Sequence, residues 1–237
     1  MPVYLLSDDL IFPSPQLASE EGLLAVGGDL SRERLLLAYR MGIFPWYSQD
    51  EPIMWWSPDP RLVLYPSELK VSKSLKRTIK KRPFKVTMDQ AFESVIKACA
   101  QGRTRMQEGT WIVNDMIAAY CRLHESGLAH SVETWQAGKL AGGLYGVSLG
   151  GCFFGESMFK RVSNASKVAF VALVEHLKSL NFNLIDCQVT SAHLLGFGAR
   201  EIPRSRFLKE LDKALESSTI KNKWSFPTQN SFGADSE

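Results

Sequence analysis

The chain has 237 residues, of which 45% are hydrophobic and 22% are charged, and its formal net charge at pH 7 is +3. This length and balance allow one large domain, or a small domain beside a medium one, with a sizeable core. So small a net charge does not by itself indicate nucleic-acid binding. The sequence has neither a signal-peptide pattern nor an apolar run long enough for a membrane span, so we expect a cytoplasmic protein.

The cysteines and histidines lack the spacing of a metal site or a disulfide framework. Cys99, Cys121, Cys152 and Cys187 each lie in an apolar context, which is typical of free thiols in a reducing compartment. The histidines show no ligand spacing either. We therefore expect no bound metal.

The chain divides near residue 62 into a small N-terminal domain, residues 1–62, and a larger domain, residues 63–237. The first part is rich in proline, glycine and tryptophan, which predicts a loop-rich domain with one short helix at about 32–41. Helix and strand patterns in the second part predict an α+β domain with a mixed, mainly antiparallel sheet. The polar tail after about Glu216 is expected to be loosely packed.

Three tryptophans interleaved with prolines stand out in the small domain: Trp46, Trp55 and Trp56. They can form a hydrophobic plug that holds a loop-rich domain together. They can also form a surface on which a nucleobase stacks.

A run of positive charge follows the domain boundary, with no acidic residue between Glu68 and Asp89. Part of this run shares one face of a predicted helix that Pro83 ends. Such a face can be simply solvated, but its uncompensated charge favours an anionic partner such as consecutive phosphates. The basic residues are Lys73, Lys76, Arg77, Lys80 and Lys81, with Arg82 directly after them.

The larger domain has a regular order of predicted elements. Helix patterns at 88–100 and 114–126 precede three strand patterns between residues 131 and 158, which predict an antiparallel meander with short turns. A helix at 167–180 then leads to a strand at 184–189. Such a crossover places the last strand parallel to a strand of the meander.

The last strand carries Asp186 and Gln188, which point to the same face because strand side chains alternate. A carboxylate and a carboxamide on an inner strand can anchor a neighbouring loop, or they can form a catalytic pair. Glu156 of the meander is expected to face them, with Phe154 and Met158 on its side of the strand. The apolar floor of this site is expected to comprise Leu144, Met158 and Ile185.

A site made of Asp, Glu and Gln beside an apolar pocket offers no strong nucleophile. No Ser/His/Asp or Cys/His arrangement competes with it in the sequence, and no glycine motif for phosphate or dinucleotide binding is present. The site can orient two reactants, accept a proton from an amine and donate a hydrogen bond to an oxyanion. These abilities predict transfer of an already activated acyl group to an amine.

Seven multi-residue blocks of the sequence carry a family resemblance. They are GLLAVGGDL at 22–30, GIFPW at 42–46, WWSPDPR at 55–61, EGTWI at 108–112, FGESMF at 154–159, NASK at 164–167 and IDCQ at 185–188. Together they resemble the leucyl/phenylalanyl-tRNA–protein transferase family. The resemblance implies a GNAT-like acyltransferase fold for the larger domain, with neither acetyl-CoA nor a metal as cofactor.

The resemblance also implies an activity and its partners. The enzyme would move Leu or Phe, and Met less well, from aminoacyl-tRNA to the N-terminal Arg or Lys of an acceptor protein. The new peptide bond would mark that protein for degradation by the N-degron pathway. We expect a monomer in the cytoplasm.

Carried over residue by residue, the resemblance assigns catalytic roles to Asp186, Gln188 and Glu156. The Asp–Gln pair can act as a general base or mainly position the substrate, and the sequence leaves both open. Trp46 and Trp111 fall where the terminal adenosine is approached, and the basic helix falls where the acceptor arm of tRNA is gripped. Loop 190–198 departs from the commoner family pattern. The pocket for the transferred side chain would comprise Leu144, Met158, Leu173, Leu177 and Ile185.

Two other functions stay open. An acyl-CoA-dependent N-acetyltransferase of the same fold would carry a glycine-rich pyrophosphate loop, where this chain has KRVSNA at 160–165. A non-enzymatic RNA-binding module would explain the basic helix but not the polar face of the last strand.

Overall fold

The computed structural model describes residues 3–104 and 112–226. Within these ranges the chain forms a four-stranded sheet and a seven-stranded sheet. The strands are β1 Tyr4–Leu6, β2 Leu23–Gly27, β3 Phe44–Pro45, β4 Met54–Trp56, β5 Arg61–Leu64, β6 Lys85–Met88, β7 Ala129–Gln136, β8 Lys139–Leu149, β9 Cys152–Lys160, β10 Leu184–Gln188 and β11 Arg200–Ile202. The helices are α1 Arg32–Arg40, α2 Lys73–Lys80, α3 Phe92–Thr104, α4 Asn114–Glu125, α5 Ala165–Ser179, α6 Ala192–Leu195 and α7 Arg204–Leu215.

The small sheet has the strand order β1-β2-β4-β3. Ser31 caps α1 as predicted, because its side chain accepts a hydrogen bond from the backbone N–H of Arg34. Trp55 is fully buried and donates its indole N–H to the carbonyl of Gly27, so it is a core residue of this sheet. β5 belongs to the large sheet and contains residue 62; we therefore propose that the small domain ends just before Arg61.

The large sheet has the strand order β11-β5-β10-β9-β8-β7-β6. The predicted meander is β7-β8-β9, and β10 pairs in parallel with β9 after the α5 crossover. The sheet is therefore mixed and mainly antiparallel, as predicted, and its topology agrees with the GNAT-like expectation. α5 packs on one face, against β7, β8 and β9, whereas α3 and α7 contribute to the hydrophobic core on the other.

The sequence patterns missed one element of the larger domain and misplaced the start of another. Lys85–Met88 forms the edge strand β6, for which no strand was predicted, and α3 begins at Phe92 rather than at residue 88. The tail is also better anchored than predicted. Trp224 is buried and stacks on His130 with 3.8 Å between ring centroids, while its backbone N–H donates to Asp89. The few apolar residues scattered through the polar tail give no sustained periodicity from which this contact could be predicted.

Candidate active site

The site lies where two neighbouring strands stop pairing. β9 and β10 form a parallel ladder only from Leu184 opposite Cys152 to Asp186 opposite Phe154, although both strands continue. On its other side, β9 has an irregularity against β8, at which Glu156 has no paired partner. A gap in the sheet therefore opens beside Glu156 and Gln188.

The irregularity in β9 also corrects the predicted side-chain pattern. Phe154 belongs to the core on one face of the sheet, whereas Met158 packs against the core on the other. The prediction that Phe154, Glu156 and Met158 share a face was wrong, because one extra residue in a strand reverses the alternation that follows it.

A cavity of about 320 Å³ lies at this gap. Its polar lining includes Glu156 and Gln188, so a carboxylate and a carboxamide meet an apolar cavity. Leu177, which was assigned to the pocket with Leu173, is not among the lining residues; it is fully buried in the core one helical turn further along α5. The apolar lining includes Leu144, Met158, Leu173 and Ile185, together with Phe153 and Phe170.

Glu156 is the centre of a buried hydrogen-bond network. Its Oε1 accepts hydrogen bonds from the Tyr39 hydroxyl and the Gln188 amide, both at 2.8 Å, and its Oε2 accepts one from the Tyr120 hydroxyl at 3.1 Å. Burial raises the pKa of Glu156 to about 7, because these hydrogen bonds offset only part of the lost hydration. Burial also raises the pKa of both tyrosines, which keeps their hydroxyls protonated as donors.

Gln188 reaches Glu156 from an unusual backbone conformation. Its φ is 63°, in the left-handed region that residues other than glycine seldom adopt. The backbone N–H of Gln188 donates to Oδ1 of Asp186 at 2.9 Å, and the ladder with β5 shifts register at the same point. Asp186 thus holds the turn that directs the Gln188 carboxamide across the gap.

Asp186 itself is removed from the cavity. It is fully buried and does not line the cavity wall. Arg61 binds both of its oxygens, with Nε to Oδ1 at 2.8 Å and Nη2 to Oδ2 at 2.6 Å. The guanidinium in turn packs over the rings of Phe44 and Phe207, at 4.8 and 4.5 Å from their centroids. In this arrangement Asp186 can position Gln188 but has no contact surface for a substrate.

Three residues of this network were not identified from the sequence as site residues. Arg61 lies in one of the quoted blocks, and the need of a buried carboxylate for a cation could have indicated it. Tyr39 and Tyr120 come from α1 and α4, far apart in the chain. No spacing rule connects them to Glu156, so only the tertiary structure brings them together.

Outside the pocket, the predicted binding residues that the structure describes lie away from the cavity lining. Trp46 is 38% exposed, and its ring lies 5.7 Å from that of Trp56. Trp111 lies outside the described residues. Ser72 caps α2, and Leu75 anchors it in the core. The basic side chains around this helix, Lys73, Lys76, Arg77, Lys80, Lys81 and Arg82, are all exposed.

The described part of the chain has neither a metal-binding cluster nor a membrane-spanning helix. Across residues 3–104 and 112–226, no three His, Cys, Asp or Glu side chains are grouped so that they could hold a metal ion. No helix in the same ranges has the length and apolarity needed to cross a membrane.

Similarity to solved structures is low in sequence and moderate in coverage. An aminoglycoside acetyltransferase from an uncultured soil metagenomic sample matches with 15% identity and a TM-score of 0.36, over 46% of this chain and 81% of that one. L-PGS from Bacillus licheniformis matches with 8% identity and a TM-score of 0.42, over 71% of this chain and 54% of that one.

Sequence relatives are much closer. Two transferases named leucyl/phenylalanyl-tRNA–protein transferase match nearly end to end. The one from Desulforapulum autotrophicum is 58% identical over 95% of this chain and 99% of its own, and the one from Desulfatibacillum aliphaticivorans is 59% identical over 97% and 99%. The sequence model of the leucyl/phenylalanyl-tRNA protein transferase matches residues 63–212, and that of its N-terminal domain matches residues 28–59. The chain therefore belongs to the leucyl/phenylalanyl-tRNA–protein transferase family.

Proposed function

We propose that this protein transfers Leu or Phe, and Met less well, from the 3′ end of aminoacyl-tRNA to the α-amine of an N-terminal Arg or Lys. The observation that carries the proposal is the apolar cavity closed by the Glu156–Gln188 hydrogen bond. The cavity would hold the side chain of the transferred amino acid. The Glu156–Gln188 hydrogen bond would lie beside the ester carbonyl of the same aminoacyl group. The acceptor preference, the N-degron role, a monomeric state and a cytoplasmic location follow from the family resemblance and stay part of this proposal.

The reaction needs a base, a donor for the oxyanion and exact placement of two reactants. The neutral α-amine attacks the ester carbonyl, so a C–N bond forms and the bond to the ribose oxygen breaks. The ionised form of Glu156 accepts the amine proton, which is returned to the leaving ribose oxygen. One N–H of the Gln188 amide is used on Glu156, and the second can donate to the developing oxyanion.

Two further polar groups of the cavity are available to the substrate. Ser157 Oγ and His193 Nε2 are buried and have no hydrogen-bond partner among the described residues. Burial lowers the pKa of His193, so the ring is neutral at pH 7 and can accept a hydrogen bond. Both residues are only half-buried at the cavity wall, so a rotation of either side chain would let it pair with a polar group of the aminoacyl-adenosine end.

Mass spectrometry of a reporter peptide tests the activity itself. The purified protein is mixed with Phe-tRNA and a peptide that begins with Arg, and a product heavier by one phenylalanine residue is expected. A matched peptide with an acetylated N-terminus should stay unmodified, because its α-nitrogen is not nucleophilic. Replacement of charged tRNA by acetyl-CoA should also give no product. An acetylated peptide in that reaction, with none from Phe-tRNA, would overturn the proposal in favour of an acetyltransferase.

The cavity also predicts discrimination among amino acids. A side chain branched at Cβ places an extra methyl group next to the ester, and one misplaced methyl in an apolar pocket costs about 1–3 kcal/mol. We expect kcat/KM for Ile-tRNA to be about 10- to 200-fold below that for Leu-tRNA. Competition between the two charged tRNAs for one acceptor peptide measures this ratio, and equal use of both would contradict the assignment of the cavity.

The exposed basic residues of α2 predict salt-dependent tRNA binding. Joint replacement of Lys76, Arg77, Lys80 and Lys81 by Ala should raise KM for tRNA and flatten its dependence on salt, because each lost phosphate contact releases one counterion fewer. The kcat at saturating tRNA should change little. An unchanged KM and salt slope would mean that this helix face is only solvated.

A further inference from the structure

A second cavity lies at the far edge of the large sheet. Its volume is about 410 Å³, and none of its lining residues belongs to the cavity at Glu156. It forms where the edge strand β6 runs beside the end of β7 and the turn that follows. The lining residues are Pro83, Lys85, Gln90, Trp135, Gln136, Ala137 and Gly138; we call this set the edge groove.

An aromatic ring and an ammonium group lie side by side in the edge groove. Lys85 and Trp135 are directly opposite each other in the β6–β7 ladder, so their side chains occupy the same face of the sheet. Lys85 is exposed and Trp135 is partly exposed. The indole N–H donates to Thr87 Oγ1 at 2.8 Å, and the Thr87 hydroxyl donates to Glu133. This chain of hydrogen bonds holds the indole ring in one orientation.

The charge around the edge groove is positive. Pro83 joins it directly to the basic end of α2, where Lys80, Lys81 and Arg82 are exposed. The neighbouring acidic groups are engaged elsewhere. Glu133 is buried and bonded to Thr87 and Ser131, and Asp89 is buried and paired with His130.

We infer that the edge groove binds one unstacked nucleotide of the tRNA that α2 holds. The base stacks on Trp135, its phosphate pairs with Lys85, and the amides of Gln90 and Gln136 face the base edge. A fixed aromatic ring, a cation and side-chain amides are the groups with which proteins bind a nucleotide that has left the stack. The inference rests on the proposed function, because it takes tRNA as the bound nucleic acid.

Direct titration with uncharged tRNA tests the inference without any catalytic step. Trp135→Leu should weaken binding about 5- to 150-fold, the range for loss of one base–aromatic stack, whereas Trp135→Phe keeps a ring and should bind almost as the wild type does. Lys85→Gln should lower the slope of log Kd against log salt by about 0.7–0.9, as expected for one phosphate contact. Lys209→Gln is the matched charge control, because Lys209 is exposed on α7, which packs at the other end of the sheet.

The possible outcomes separate this inference from the proposed function. Transfer from phenylalanyl-adenosine, which lacks the tRNA body, should be the same in wild type and all groove variants. Wild-type tRNA affinity in Trp135→Leu and Lys85→Gln would overturn the inference. An increased KM for the acceptor peptide without any change in tRNA binding would also overturn it, because the edge groove would then bind the acceptor protein. If Trp135→Leu fails to fold, Lys85→Gln and the exposed Gln136→Ala decide the question. A wild-type protein that binds tRNA but transfers nothing would refute the proposed function and leave the groove to be judged by these titrations.

Discussion

Asp186→Asn is expected to destabilise the protein by about 3–5 kcal/mol, the usual cost of removing one partner of a buried ion pair. The substitution leaves the guanidinium of Arg61 buried between Phe44 and Phe207 without its carboxylate. Urea unfolding measures the loss of free energy. Asp212→Asn on the exposed side of α7 makes the same chemical change at the surface and should stay within about 0.5 kcal/mol of wild type. An Asp186→Asn protein as stable as wild type would contradict the stabilising role of the Arg61–Asp186 ion pair.

A double variant separates stability from positioning. Arg61→Met with Asp186→Leu removes both charges together, and such replacements are often neutral or stabilising. We expect it to recover most of the lost stability but to transfer little, because the leucine side chain offers no acceptor to the Gln188 backbone N–H. Recovery of both would show that Asp186 is needed only for folding.

Glu156→Gln is expected to keep the fold and to lower the rate of transfer by about 10²- to 10⁴-fold, the range for loss of a general base. The substitution keeps the shape of the side chain among Tyr39, Tyr120 and Gln188 but removes the charge that accepts the amine proton. Single-turnover transfer from Phe-tRNA to an Arg-initiated peptide gives the rate. A rate within a few-fold of wild type would assign Glu156 a positioning role only.

The pH dependence of the transfer rate gives a second test of Glu156, separate from the size of the rate at one pH. With its pKa at about 7, the wild-type rate should rise as pH increases through 7, and Glu156→Gln should lose this step. Acceptor peptides whose α-amines differ in pKa serve as the control. The pH at which Glu156 changes the rate should be the same for every peptide. The pH at which the acceptor amine changes the rate should follow the pKa of that amine.

The ionisation of Glu156 should also affect stability, but in the opposite direction: the transfer rate rises with pH, whereas the free energy of unfolding falls. The folded-state pKa of Glu156 is raised from 4.5 to about 7, so between these values the folded state binds more protons than the unfolded state. The contribution of this group to stability is therefore present below pH 4.5 and is lost as pH rises to 7. Glu156→Gln should remove this component from the pH dependence of unfolding.

The sequence predicted the frame of the large domain well because the signals are local. Glycine-containing turns separate β7, β8 and β9, and α5 is a long apolar helix between two strands. The strand predicted at 184–189 is also confirmed, as β10 Leu184–Gln188. These features follow from the chemistry of a few neighbouring residues, so one sequence suffices to predict them.

The arrangement of the site depends on contacts that the sequence does not encode locally. The irregularity in β9 places Met158 on the opposite face of the sheet from Phe154. No residue type in this strand predicts such an irregularity. The sequence singled out Asp186 and Gln188 as a pair, whereas the hydrogen bond at the cavity joins Gln188 to Glu156. Arg61 from β5 takes Asp186 out of contact with the cavity, and only pairing between strands far apart in the chain brings that guanidinium to it.

A crystal structure with a non-hydrolysable phenylalanyl-adenosine analogue tests the central claim most directly. The phenyl ring should occupy the cavity between Leu144, Met158 and Leu173, with the carbonyl of the analogue within hydrogen-bond distance of the Gln188 amide. A phenyl ring bound outside this cavity, or a carbonyl directed away from Gln188 and Glu156, would contradict the account.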